Sequence, residues 1–169
     1  MNMSQATSSQ AHLIGALRSE DSSIRLKAAL AAGTDPDPIF LDELVKRCAV
    51  ESDFFVREML SWALTRLPSD LVLDRLHQEL HSEISQARSQ ALHTLSKIND
   101  RTAWSWITTD MLRDPDDEVA RTAWRVAALF VPEEERKALG GELILQLGRG
   151  DRSMQLSLSR ALIDLVAWR

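Results

Sequence analysis

Apolar positions along the chain recur with the 3.6-residue spacing of helices, and the helical stretches themselves recur. The stretch DFFVREMLSWAL, Asp53 to Leu64, returns as DDEVARTAWRVAA, Asp116 to Ala128. A reused phrase marks a reused structural unit. A turn residue preceding an apolar–Arg pair occurs at Asp21-x-x-Ile24-Arg25, Asp53-x-x-Val56-Arg57, Ile84-x-x-Ala87-Arg88 and Asp117-x-x-Ala120-Arg121, with Asp151-x-x-Met154-Gln155 as a fifth copy. The steps between copies run from 31 to 34 residues. Three, six and seven places after the Arg position sit Ala28, Ala31, Ala32; Leu60, Ala63, Leu64; Ala91, Thr94, Leu95; Trp124, Ala127, Ala128; and Leu158, Ala161, Leu162. Those offsets lie on one helix face, so each copy predicts an amphipathic helix.

A second set of amphipathic segments alternates with the first, at 11–17, 39–48, 71–80, 103–112 and 135–147. The turn-rich stretches TDPDP, LPSD, IND and VPEEE separate consecutive pairs, while ESD, DPDDE and GRGD join the two helices within a pair. Pro at helix starts, Asp and Ser at N-caps, and acids in first turns all suit these boundaries. The reading is ten helices in five antiparallel hairpins, at about 9–34, 35–67, 68–98, 99–131 and 132–169. They form one repeat domain, 9–169, after a disordered polar tail at 1–8. No hairpin of this size hides its apolar face alone; stacked on its copies it can.

The pattern D-x-x-[VI]-R-x-x-A-x-x-A-[LA] at the start of each second helix resembles the HEAT repeat, in its short bacterial form, over roughly residues 10–167. The resemblance implies an all-α fold, a right-handed α-α superhelix of about five hairpins, with the second helices on the concave side. It also implies a structural ladder in which Asp21, Arg25, Asp53, Arg57, Arg88, Asp117 and Arg121 link neighbouring repeats. Asp and Arg four residues apart also face each other on one helix, and the planar Arg fork suits a carboxylate. Ile84 and Gln155 depart from the pattern, and the ladder is expected to loosen there. Arg57→Ala should therefore cost stability more than binding.

Composition narrows the partner. A net charge of −5 argues against nucleic acid, whose affinity comes from Lys and Arg on phosphates. The single cysteine, Cys48, forms no internal disulfide, and the polar N-terminus MNMSQATSSQ has no signal-peptide pattern. No apolar run approaches the ~20 residues that span a bilayer. Together these predict a cytoplasmic protein that engages no membrane.

On the concave side, the residues five places after each Arg position are Leu30, Trp62, His93, Val126 and Arg160. One place after it come Leu26, Glu58, Ser89, Thr122 and Leu156, with Arg66 and Lys97 flanking the strip. Trp62, Arg66, Glu58, His93, Lys97 and Arg160 are the candidate binding residues, since Trp and Arg are frequent interface anchors. The competing explanation for Trp62 is packing against a neighbouring helix.

Catalytic constellations are weak. His77 and His81 are four apart, but HQELH lacks the Glu directly after the first His that a metalloprotease motif requires, so a solvated pair is expected and no metal. Among HEAT-like proteins are DNA glycosylases that surround an alkylated base with Trp and Asp; Trp106 and Asp110 would share a helix face here. Others take part in bilin attachment, which Cys48 does not support as a chromophore site. The expectation is a non-catalytic protein–protein module without cofactor. At its end ALIDLVAWR keeps Leu162, Leu165, Val166 and Trp168 apolar where a solenoid needs a polar cap, which admits a homodimer through the last helix.

Overall fold

Periodic apolar faces become helices throughout the computed structural model, which describes residues 7–167. The α-helices are α1 (Ser8–Leu17), α2 (Ser22–Thr34), α3 (Leu41–Cys48), α4 (Phe54–Thr65), α5 (Ser69–Glu79), α6 (Ser85–Ile98), α7 (Thr109–Leu112), α8 (Asp117–Phe130), α9 (Arg136–Ile144) and α10 (Arg152–Val166). Short 3-10 segments at Pro38–Phe40, Arg101–Trp106 and Glu133–Glu135 precede α3, α7 and α9, and no strand occurs among the described residues. The fold class is all-α, built from consecutive helix pairs of the helical-solenoid kind. No helix is long and apolar enough to cross a membrane.

Residues 1–6 of the expected tail lie outside the described residues, as do Trp168 and Arg169. Thr7 caps the first helix and Ser8 already belongs to it. Thr7 and Gln10 form a capping box, in which each side chain satisfies the other's backbone N–H and starts α1 ahead of its apolar residues.

Packing divides the chain into two compact units within α6, one ending at Gln90 and the other beginning at Ala91. In the first, α2 lies on α4, α1 on α3, α1 on α2 and α3 on α4. Leu17, Leu44, Leu60 and Leu64 fill the seam between those layers and are almost fully buried. In the second, α8 lies on α10 and α7 on α9, around Val119, Trp124, Phe130, Leu143 and Leu158. The Trp124 indole N–H donates to the Leu112 carbonyl at 2.9 Å, so this ring is wholly core.

Two positions of the expected core face differ. Ala31 is exposed, because α2 turns Ala28, Ala29 and Ala32 inward instead, and Leu162 is half-buried while Leu165 takes the core position. The expected helix at 103–112 is broken. Arg101–Trp106 is 3-10, Ile107 is extended, and the Thr108 hydroxyl caps a new short helix. A β-branched run, Ile107-Thr108-Thr109, supplies both the break and the cap. Trp106 and Asp110 therefore do not share a helix face, which removes the geometry on which a base-excision reading depended.

Candidate binding surface

Four of the five second helices start from an Asp that caps them. Asp21, Asp53, Asp116 and Asp151 accept from backbone N–H groups of their first turns, with the Val56, Val119 and Met154 amides at 3.0, 3.1 and 2.9 Å. In the fourth repeat the cap is Asp116, not Asp117, because the DPDDE loop offers two adjacent acids and Val119, rather than Ala120, matches Val56. The register there is one residue earlier than the Asp117–Arg121 alignment. Val126 accordingly falls in the core, fully buried, and Arg125 occupies the exposed position equivalent to Trp62.

The Arg column is explained by the loop preceding each helix. Arg57 Nη1 donates to the carbonyls of Glu51 and Ser52 at 2.9 and 2.8 Å, Arg25 Nη1 to those of Ser19 and Glu20, and Arg88 Nη1 to that of Ser82. These carbonyls lie beyond the preceding helix end, and that of Glu51 also accepts from the Gln86 side-chain amide at 2.7 Å. The caps and the Nη1 donors thus serve each repeat's own loop, and Asp21 and Asp53 each accept a backbone amide. In the fifth repeat the Gln155 amide donates to the Arg149 carbonyl, six residues back like its Arg counterparts. In the fourth, where Ala120 stands in the column, Arg149 Nη2 reaches the Asp114 carbonyl, with its guanidinium also on Asp117 at 3.1 Å. Arg121 is left over, lying 3.4 Å from Glu118 and 3.3 Å from the Ser153 hydroxyl. The expected loosening at Gln155 is not what this hydrogen-bonding geometry delivers.

One ionic link between repeats is buried. Arg25 clamps Glu51 with two bonds of 2.7 and 2.8 Å, Arg47 adds a third at 2.9 Å, and the Asp53 amide a fourth at 2.9 Å. Burial alone would raise the Glu51 carboxyl. The Arg25 fork, the Asp53 amide and Arg47 outweigh it and hold the group down at about 2. Sequence reasoning placed Glu51 in a connecting loop and missed this role, since an acid beside a cap looks like ordinary turn chemistry.

The second helices of the first unit carry the apolar surface. Leu26 and Leu30 of α2, with Phe55, Glu58, Met59 and Trp62 of α4, line an open cleft of about 460 Å³. Phe55 is 71% exposed, Leu30 47% and Trp62 37%. Both competing explanations of Trp62 hold in part, because one face of its ring lies on the backbone of Gly33 while the rest borders the cleft. A Cβ built on Gly33 would fall 2.3 Å from the Trp62 ring. Arg66 Nε donates to the Gly33 carbonyl at 3.3 Å, so Trp62, Glu58 and Arg66 do come together here.

The other three candidates belong to the second unit. His93 is half-buried, and its Nδ1 lies 3.1 Å from Arg125 Nη2. Arginine only donates, so Nδ1 is the acceptor. Arg160 is exposed and lines a cleft of about 300 Å³ with Arg121, Thr122, Arg125, Ser157 and Asp164. Lys97 is exposed at the end of α6.

Cys48 is buried, and burial pushes its thiol up to about 12, which suits a packing role and not a nucleophile. His77 and His81 lie with ring centroids 6.0 Å apart, and among the described residues no group of three metal-ligating side chains converges.

No protein-family model and no curated protein sequence matches the chain. Solved structures do. The complex of CpcE and CpcF of phycocyanin lyase from Nostoc sp. PCC7120 is similar with a TM-score of 0.58 at 18% identity, covering 99% of this chain and 68% of that one. An engineered protein is similar with a TM-score of 0.50 at 23% identity, covering 92% and 78%. At these identities the likeness is one of fold.

Proposed function

We propose that this protein is a non-catalytic binding module of HEAT-like type, with the right-handed winding of that family. It takes a partner polypeptide on the exposed face of its second helices. The observation that carries this reading is the cleft at Leu26, Leu30, Phe55, Met59 and Trp62. It is apolar, open, and mounted on two packed helices whose other faces are locked in the core. Exposed apolar surface of this kind on a rigid platform is the usual mark of a docking site, with the aromatic ring as anchor. The CpcE–CpcF neighbour, a complex of two proteins, supports a polypeptide partner. The lone buried cysteine and the acidic charge support a reducing, cytoplasmic setting and disfavour nucleic acid.

Leu30→Glu and Phe55→Ser test the reading, because both side chains are exposed and neither fills the core. In affinity capture from the cell of origin, a protein held by the wild type should be lost with both variants while their melting curves stay unchanged. Retention of every captured protein by both variants overturns the assignment.

A second reading rests on the same fold likeness, namely a role in bilin handling. A bilin mixed with the protein would then show a changed absorption spectrum, and an unchanged spectrum removes this alternative. The last pair offers a further contact. Ile144, Ile163 and Val166 are 53%, 58% and 75% exposed around a cleft of about 540 Å³ between α9 and α10. A homodimer through this face should sediment as such and become monomeric on Ile163→Glu. A wild-type monomer at high concentration eliminates it.

A further inference from the structure

The second unit holds a cluster that the apolar cleft does not use. Arg121 and Arg125 of α8 and Arg160 of α10 converge on one cleft of about 300 Å³, together with the hydroxyls of Thr122 and Ser157. Three guanidinium groups in one small cleft run against the charge of a chain whose net value is −5. Two of them are held in place. Arg125 is fixed by Ser96 Oγ at 3.2 Å and by His93 Nδ1, while Arg121 lies 3.3 Å from Ser153 Oγ. Arg160 has no hydrogen-bond or ion-pair partner among the described residues, so its whole fork is available on a prepositioned cationic wall. We propose that this cleft is an anion site that receives the carboxylate of an acidic side chain on the partner polypeptide.

The ligand class follows from charge and donor geometry. A planar guanidinium offers two parallel N–H donors matched to a carboxylate, and the hydroxyls of Thr122 and Ser157 can serve its remaining lone pairs. Asp164 also lines the cleft, and Glu118 lies 3.4 Å from Arg121, so the local excess of positive charge is modest. A monoanion is matched by that excess, whereas a phosphate dianion or a phosphodiester chain demands more and meets two acids. A rim charge of this kind sets register and on-rate as well as affinity.

The site rests on the reading that the partner is a polypeptide, but its test is independent of the apolar cleft. A fluorescein-labelled hexaglutamate peptide is titrated with the 169-residue protein at low salt, and anisotropy is followed. Hexaglutamine and a single-stranded hexanucleotide carrying the same dye serve as comparison probes. Binding should be seen for hexaglutamate alone and weaken roughly tenfold or more in Arg160→Gln, as expected for loss of charge-assisted hydrogen bonds. Arg160→Lys, keeping the charge but not the fork, should recover part of the loss. The Arg160 side chain is exposed, so melting of both variants should match the wild type. Hexaglutamate binding that is absent, or equal in wild type and Arg160→Gln, overturns the proposal. Tighter Arg160-dependent binding of the oligonucleotide overturns it in favour of a phosphate site. Phe55→Ser should leave hexaglutamate affinity unchanged, which separates failure of this site from failure of the apolar cleft.

Discussion

Replacing Glu51 by Gln removes one charge from a buried cluster and leaves two arginines facing a neutral amide. Arg25 is 6% exposed and Glu51 fully buried, so water does little to compensate. The Glu51 carboxyl sits at about 2 where 4.5 is ordinary. At ~1.4 kcal/mol per pH unit, that displacement corresponds to about 3 kcal/mol of folding stability. Breaking a buried pair from one side typically costs about 3–5 kcal/mol, which agrees. Because the folded-state value is depressed, the contribution is complete above pH 4.5 and drains away as pH falls through about 2. Urea unfolding followed by circular dichroism, at pH 7 and at steps down to pH 2, gives the stability of both proteins. At pH 7 Glu51→Gln should be less stable by about 3 kcal/mol, and the gap should close as the pH approaches 2. The double variant Arg25→Met/Glu51→Leu should recover most of the loss, since apolar replacement of a buried pair is often neutral or better. Equal stability of wild type and Glu51→Gln at pH 7, or a gap independent of pH, refutes the reasoning.

Other perturbations address the repeat itself. Gly33→Ala puts a methyl group where the Trp62 ring lies, which should cost about 1–3 kcal/mol and shift Trp emission to the red as the ring is driven outward; unchanged emission and melting contradict that contact. Asp116→Ala should lose about 1 kcal/mol as a missing helix cap, while Asp117→Ala, which loses only an exposed pairing with Arg149, should cost a few tenths. The reverse order, read by thermal denaturation, would restore the later register. Arg57→Ala removes the Ser52 carbonyl's side-chain donor and one of two from the Glu51 carbonyl, where Gln86 remains, and should lower stability by about 1 kcal/mol without touching capture of a partner.

Much of this architecture is legible in the residues because a helix face repeats locally, and the Asp caps announce where four of the five second helices begin. The fourth repeat shows where such reading slips. With Asp116 and Asp117 adjacent, two registers are consistent with the pattern, and only the Asp116 cap and the burial of Val119 and Val126 choose between them. That one-residue choice hid Arg125 behind Val126. The Arg column was visible as a pattern, but its partners are backbone carbonyls six and five residues earlier, which side-chain chemistry alone does not reveal. Glu51 was hidden for a different reason. Its partner Arg25 is twenty-six residues away, and pairing across repeats depends on how α2 and α4 pack. Trp62 was singled out by its column, and its second role required seeing that Gly33 leaves room for the ring.

The account stands most directly on where a partner makes contact. Hydrogen–deuterium exchange of the protein with and without its captured partner reads that location. Slowed exchange confined to the second helices, centred on 26–30 and 55–62, is the predicted result. Protection found only on α1 and α3, with those two stretches unchanged, would contradict it.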